Sequence, residues 1–381
     1  MTKEPEAHPE TWLDTEDVRR AARAALSQDA WDFLSGGSGR ELTLTDNRTA
    51  LDAVRLVPRI MTDVSHCDTT ADLVGTASHL PLGIAPVAYH RLFHPEGELA
   101  SARAAEAAGT VLVAAMLSSL PIEDITAACS RTWLQLYWLR DRGLTQDLIA
   151  RAEAAGCRAL VLTVDVPRMG RRLRDIRNGF ALPEDVTAAN LPPRTTSTAR
   201  TRRTGSSAVM VHTSESFDPT LSWSDLAWLR ERTTLPIVLK GVLDPRDVRH
   251  AVHAGVDAVV VSNHGGRQLD GAVPGITALP AVHDAADGRL QVLFDSGVRS
   301  GADVLKALSL GADGVLVGRP AIWGLAAGGR RGTERVLALL RTELEDAMAL
   351  AGCPRVSAAH RVTALTAGPA LHPGATNGRN R

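Results

Sequence analysis

The 381-residue chain is 44% hydrophobic and 22% charged, with 42 basic and 43 acidic side chains and a formal net charge of −1. That balance gives no electrostatic case for nucleic acid or an anionic membrane surface, and no apolar run approaches the roughly 18 residues of a spanning helix. The N-terminus, Met1 to Glu10, is polar and acidic rather than signal-like, and the four cysteines (Cys67, Cys129, Cys157, Cys353) show neither CxxC pairing nor metal-ligand spacing, so the expectation is a reduced, cytoplasmic protein without a metal.

Residues 11 to 57 read as helical, with Thr11 or Asp14 as caps, placed outside the core domain or over its mouth. After about residue 80 a regular beat sets in. Apolar, β-branched runs predict strands at Pro81–Pro86, Val111–Ala115, Trp133–Tyr137, Ala159–Val164, Ile237–Lys240, Ala258–Ser262, Val292–Asp295 and Gly314–Val317. Ala/Leu/Arg-rich helical stretches separate them, several ending in a capping glycine just before the next strand: Gly109, Gly156, Gly255 and Gly311. Eight strands with intervening helices predict an α/β fold, a (β/α)8 TIM barrel over about residues 80–330, within a single domain over 1–365. Residues 178 to 222 break the beat. They are rich in Thr, Ser, Pro and Arg, and 181–222 is expected to be a mobile, lid-like loop. Arg200, Arg202 and Arg203 in it read as a solvated face. A C-terminal helix is expected at about 331–351, and a disordered tail over 366–381.

In a parallel β/α barrel, chemistry is built at the carboxyl ends of the strands. Strand six runs into Ser262-Asn263-His264-Gly265-Gly266-Arg267-Gln268-Leu269-Asp270, which sets a base and a fixed cation side by side, suited to an anionic substrate that loses a proton. Taken alone, that run reads more readily as an ordinary strand-end turn with a solvated His and Arg. Strand four ends at Asp165, with Met169 and Arg172 beyond it, and strand three at Gln135-Leu136-Tyr137. The Asp is placed to orient His264, and Arg172 to supply a second guanidinium. Strand five ends at Lys240, and strands seven and eight at Asp295-Ser296-Gly297-Val298-Arg299 and Gly318-Arg319. Glycine plus arginine there suits a barrel phosphate site. Singly each is explained by structure; six strand ends carrying these groups to one face are not.

These residues resemble the FMN-dependent α-hydroxy acid oxidase and dehydrogenase family, over roughly residues 20–360. The signature is Ser262–Asp270, supported by Asp46-Asn47-Arg48, Ala85-Pro86-Val87-Ala88, His94-Pro95-Glu96-Gly97-Glu98, Gln135-Leu136-Tyr137, Leu162-Thr163-Val164-Asp165, Leu239-Lys240-Gly241-Val242 and Val317-Gly318-Arg319-Pro320. Trp31-Asp32-Phe33, Pro86–His90 and Arg172–Phe180 look most like the subgroup of bacterial 4-hydroxymandelate oxidases, which serve aryl-glycine biosynthesis for peptide antibiotics. The resemblance implies an FMN-dependent oxidation of an (S)-2-hydroxy acid, aryl in type, with O2 as acceptor and hydrogen peroxide as second product. An aliphatic 2-hydroxy acid, a non-O2 acceptor, or a larger biosynthetic intermediate is the alternative, and a homotetramer is implied as well.

Carried over residue by residue, His264 matches the base, Asp165 its partner, and Tyr137 a catalytic and substrate-binding hydroxyl. Arg267 and Arg172 match the carboxylate holders. Pro86, Val87, Ala88, Ala115, Gln135, Thr163, Lys240, Ser262, Gly266, Asp295, Gly297, Arg299, Gly318 and Arg319 match flavin contacts. Phe33, Leu117 and Met169 fall at substrate-pocket positions. Phe33 stands where many members carry tyrosine, Ala115 where a serine usually lies, and Leu117 where an aromatic is frequent; these departures make the pocket larger and more apolar. A non-catalytic flavin or phosphate barrel is the rival reading, but it has no need of His264, Asp165, Arg267 and Tyr137 together. A nicotinamide enzyme lacks its GxGxxG signature here.

Overall fold

The computed structural model describes residues 8–192, 197–201 and 207–366. Eight strands close into a parallel barrel: Leu82–Ile84 (β1), Leu112–Ala115 (β2), Thr132–Leu136 (β3), Leu160–Thr163 (β4), Ile237–Val242 (β5), Ala258–Val261 (β6), Gln291–Phe294 (β7) and Gly314–Val317 (β8). Each pairs with its neighbour in sequence, and β8 pairs with β1 to complete the ring. Every predicted strand is present, within a few residues at its ends. Alternation along the strands divides the core in two. Val113, Trp133, Val161, Val238, Val260, Leu293 and Leu316 fill the interior, while Leu112, Leu134, Leu162, Leu239, Val259, Val292 and Val315 pack with the helical layer. The anticipated C-cap glycines have left-handed φ at Gly109, Gly156, Gly255 and Gly311.

Asp14, rather than Thr11, caps the first α-helix, Thr15–Ala25, by accepting from Glu16 and Asp17 N–H. Two further helices, Gln28–Ser35 and Leu42–Ala53, carry the chain over the carboxyl mouth of the barrel. There Ser38 N–H donates to Gly266 O (2.9 Å), Gly39 N–H to Arg171 O (2.9 Å) and Arg40 N–H to Asp270 Oδ2 (2.7 Å). The N-terminal segment is thus a roof, the second of the two placements open to it.

The opposite end is closed by a hairpin that periodicity does not reveal, Ala71–Leu73 with Thr76–Ser78. Its Thr76 Oγ1 accepts from the indole of fully buried Trp133 (3.1 Å). A second short pair, Arg55–Val57 with Thr363–Leu365, ties the segment after the N-terminal helices to the C-terminal end of the described chain.

One expectation requires correction. Part of the segment read as a lid-like loop is helical, Ala208–Ser216, following a 3₁₀ turn at Ser197–Arg200. Its β-branched and hydroxyl side chains have little intrinsic helix preference, and burial of Ala208, Val209, His212 and Thr213 supplies what propensity lacks. The expected C-terminal helix is present and is set off from the helix after β8, within Arg319–Ala351, by a kink where Gly328 (φ −159°) and Gly329 (φ 56°) leave helical angles, so that the two helices pack closely at Gly324 and Gly332. Residues 193–196 and 202–206, Arg202 and Arg203 among them, and the tail beyond residue 366 lie outside the described residues.

Candidate active site

The loop after β6 reverses direction through three consecutive left-handed residues, His264 (φ 60°), Gly265 (φ 64°) and Gly266 (φ 76°). For His264, which has a Cβ, such a backbone costs on the order of 1–3 kcal/mol and needs external support. Ser262 Oγ accepts from His264 N–H (3.0 Å), Ser296 Oγ from Gly265 N–H (3.1 Å) and Asn263 Oδ1 from Gly266 N–H (3.1 Å). Asn263 is fixed in turn by a reciprocal amide pair with Asn47 of the roof (2.9 and 2.8 Å).

Held this way, His264 Nδ1 lies 3.0 and 3.3 Å from the two carboxylate oxygens of Asp165. Donation of Nδ1–H to the carboxylate fixes the tautomer and leaves Nε2 as an acceptor. Burial pushes the imidazole pKa down, Asp165 pulls it up, and Lys240 and Arg172 push it down again, for a net lowering. The ring is therefore a neutral base near pH 7. Asp165 fits because β5 bulges after Lys240 and turns at Gly241 (φ 110°), where any Cβ would stand 2.5 Å from that of Asp165.

His264 lines a cavity of about 960 Å³, open mouth included, together with Phe33, Tyr137, Thr163, Lys240, Asp295 and the Pro86–Ala88 backbone. Lys240 is buried, with Nζ 2.8 Å from Asp295 Oδ2 and 2.9 Å from Ser262 Oγ. Burial alone would depress its pKa, but Asp295 and Asp165 outweigh that and raise it, so the ammonium stays charged.

Four arginines also face this cavity: Arg172, Arg267, Arg299 and Arg319. Their partners are mostly carbonyls. Arg267 Nη1 donates to Phe33 O (2.7 Å) and Gly36 O (2.9 Å); Arg319 donates to Leu34 O (3.1 Å), Gly36 O (3.0 Å) and Gly265 O (2.9 Å). Arg299 donates to Val298 O (2.7 Å) and lies over the Trp323 ring, and Arg172 Nε is buried without a hydrogen-bond partner among the described residues. Burial, then mutual repulsion, pulls Arg299 down to about 9 and Arg319 to about 10. Arg267 is lowered well below the ordinary guanidinium value, by burial and then by Arg172 and Arg319. Such a cluster calls for anions from outside the chain. Arg299 and Arg319 with Gly297 and Gly318 suit a phosphate, and Arg172 with Arg267 a carboxylate.

The wall between these arginines is aromatic. Phe33 stacks on Phe180 (centroids 4.6 Å apart, 13°) and on Phe93 (6.5 Å, 27°), and the guanidinium carbons of Arg267 and Arg172 lie 5.3 and 5.8 Å from its centroid. The structure therefore brings together His264, Asp165, Tyr137, Arg172, Arg267, Phe33, Thr163, Lys240, Asp295, Gly297, Arg299, Gly318, Arg319 and Pro86 to Ala88.

Other expected residues are placed differently. Met169 lines a neighbouring pocket on the outer side of Asp165 and accepts from Thr213. Leu117 and Ala115 are buried but are not among the cavity-lining residues. Gln135 turns to Thr163 Oγ1 (3.0 Å) and to Met116 N–H (3.3 Å), one layer behind the cavity. Ser262 supports Lys240 and His264, and Gly266 lets the roof approach, since a Cβ there would meet the Leu44 backbone at 2.6 Å. Sequence reasoning assigned no role to Phe93, Leu34, Ser296 or Asn47. Phe93 adjoins the His94–Glu98 motif, and Asn47 is the centre of Asp46-Asn47-Arg48, so both lay within reach of the signals used.

A barrel mouth that joins a neutral base, a charged lysine and two separate anion sites is built for a phosphorylated redox cofactor beside an acidic substrate. That places the protein among the flavin-nucleotide barrel oxidoreductases. The chain belongs to the FMN-dependent dehydrogenase family, whose model matches residues 22–365. It is 54% identical over 352 residues to a 4-hydroxymandelate oxidase of Amycolatopsis orientalis, covering 92% of this chain and 98% of the relative. It is 45% identical to an L-lactate oxidase of Nostoc sp., covering 89% and 94%. A crystal structure of mandelate oxidase with (S)-4-hydroxymandelic acid superposes with a TM-score of 0.91 at 53% identity, covering 93% of this chain and 99% of that one.

Proposed function

We propose that this protein oxidises an aryl (S)-2-hydroxy acid, of the mandelate or 4-hydroxymandelate type, to the 2-oxo acid and delivers the electrons to O2 as hydrogen peroxide. The observation that carries this reading is the placement of Arg172 and Arg267 beside the Phe33 ring, in the same cavity as His264. One pair of groups suits a carboxylate, the ring suits an aryl side chain, and the imidazole suits a proton. The similarity to the 4-hydroxymandelate oxidase and to the structure with (S)-4-hydroxymandelic acid supports the aryl choice.

In this reading FMN, when bound, accepts the two electrons and one hydrogen released from the substrate. Lys240, Thr163, Asp295 and the Pro86–Ala88 backbone hold its ring, with Arg299, Arg319, Gly297 and Gly318 at its phosphate. Arg172 and Arg267 anchor the carboxylate, and the Tyr137 hydroxyl meets the substrate oxygen. His264 Nε2 takes the other proton, while Asp165 stabilises the imidazolium that results. A cytoplasmic homotetramer and a place in peptide-antibiotic biosynthesis extend the proposal on family and subgroup resemblance; size-exclusion chromatography with light scattering tests the tetramer.

The test is anaerobic mixing of the holoenzyme with (S)- and (R)-mandelate, (S)-4-hydroxymandelate, lactate and glycolate, following flavin absorbance, with air then admitted. Bleaching by the (S)-aryl acids and recovery with peroxide is expected. Bleaching that does not recover in air overturns the choice of O2, and bleaching by lactate or glycolate alone overturns the aryl substrate.

A further inference from the structure

Tyr137 lines the cavity, but its ring rests on a residue that does not. Phe217 stacks face to face on it, centroids 4.4 Å apart at 25°, and is itself only 5% exposed. Phe217 follows directly on the helix Ala208–Ser216 and is fixed to the chain just beyond Tyr137. Leu139 and Phe217 form an antiparallel bridge. Arg140 N–H donates to Ser216 O (3.0 Å), Asp218 N–H to Trp138 O (2.8 Å), and Arg142 pairs with Asp218 at 2.7 Å. A three-residue strip, 216–218, is thus zipped along 138–140, with the two rings stacked at its edge.

The geometry points to Phe217 as a positioning residue for the Tyr137 hydroxyl. A tyrosine ring has two soft torsions, and a face-to-face neighbour on a pinned backbone removes much of that freedom. The hydroxyl is then preset before substrate arrives, and the Ala208–Asp218 segment, though outside the cavity, contributes to turnover through this one contact. The inference rests on the role proposed above for Tyr137.

The experiment is a double-mutant cycle on holoenzyme, reading the second-order constant for anaerobic flavin reduction by (S)-mandelate, with FMN content and melting temperature in parallel. Phe217→Leu and Phe217→Met keep most of the apolar volume while removing the ring. Tyr137→Phe is expected to lose roughly 10- to 100-fold, the cost of one hydrogen bond to a charged or reacting partner. Either Phe217 variant should lose about 3- to 10-fold through misplacement of the hydroxyl, with FMN retained. Phe217→Tyr, which restores the stack, should recover most of the rate. In the Tyr137→Phe background the Phe217 changes should cost less than about twofold, because there is no hydroxyl left to place. Full rates in both Phe217 variants, or losses that simply multiply in the double variants, overturn the proposal. Tyr137→Phe reacting at the wild-type rate fails differently: it removes the proposed role of Tyr137 itself, and this inference with it.

Discussion

Replacing Asp165 with Asn tests the His264–Asp165 pair most directly. The carboxylate oxygens lie 3.0 and 3.3 Å from Nδ1, which puts the charge centres about 4 Å apart once the imidazole is protonated. At an effective dielectric near 20 that attraction is about 4 kcal/mol. Both side chains keep some exposure, 18% and 13%, and the amide retains a dipole, so about half is lost, ~2 kcal/mol or ~30-fold in rate. An amide turned to donate to Nδ1 would move the ring proton to Nε2 and deepen the loss.

The pH dependence carries an independent sign. Burial already holds the His264 pKa below the ordinary imidazole value, with Asp165 opposing it. Without the carboxylate charge the pKa falls further, so the neutral base survives to lower pH. Anaerobic stopped-flow reduction of D165N holoenzyme, followed from about pH 5 to 9, should show a lower plateau and an acid limb shifted to lower pH. A plateau within twofold of wild type, or a limb moved to higher pH, would refute the assigned roles.

Three further outcomes are expected. Phe33→Tyr adds a hydroxyl to the ring that lies 5.3 and 5.8 Å from the two carboxylate-side guanidiniums; the kcat/KM ratio of glycolate or lactate to mandelate should rise about 3- to 10-fold, in line with one added hydrogen bond, and an unchanged ratio excludes the idea. Lys240→Met strands buried Asp295 without its cation and should cost about 3–5 kcal/mol in denaturant titrations. In wild type, burial raises Asp295 but Lys240 and hydroxyl donors lower it overall, so this stabilisation is present above the unfolded carboxylate value and fades as pH falls through the folded one. In K240M burial dominates, the sign reverses, and mild acid should stabilise the variant relative to neutral pH; the same acid sensitivity in both proteins would contradict the pairing. Asn47→Ala breaks the reciprocal amide pair that supports the His264 loop and should cost about 1–3 kcal/mol in melting experiments, with slower flavin reduction; normal stability would mean the loop is held by its serines alone.

The barrel was legible in the sequence because its strands are short apolar runs and four of the intervening helices end in a capping glycine, a local pattern. The Ala71–Ser78 hairpin and the Arg55–Val57/Thr363–Leu365 pair were not. Each strand is three residues long, too short for periodicity, and the second pair joins segments some 300 residues apart. The helix at Ala208–Ser216 escaped for the reason that its stability comes from the surface it covers. At the site, residue types at strand ends announced His264, Asp165, Lys240 and the arginines, since the barrel directs those ends to one mouth. Side-chain direction was less accessible: Arg172 lines the cavity, whereas Met169, three residues earlier, lines the neighbouring pocket. Phe93 and Phe180 join the cavity wall or its backing only through stacking on Phe33, and no sequence period encodes that.

The backbone carbonyls at the end of the Gln28–Ser35 helix hold Arg267 on the substrate side and Arg319 on the phosphate side, with Gly36 O shared between them. The two guanidiniums therefore draw on one small pool of acceptors. Any anion that draws one of them away frees an acceptor for the other, which couples the two anion sites thermodynamically and in both directions. The end of the Gln28–Ser35 helix with Gly36 is the physical medium of that coupling, so a protease cut within that helix should weaken retention of both anions together, whereas a cut at a distant surface loop should weaken neither.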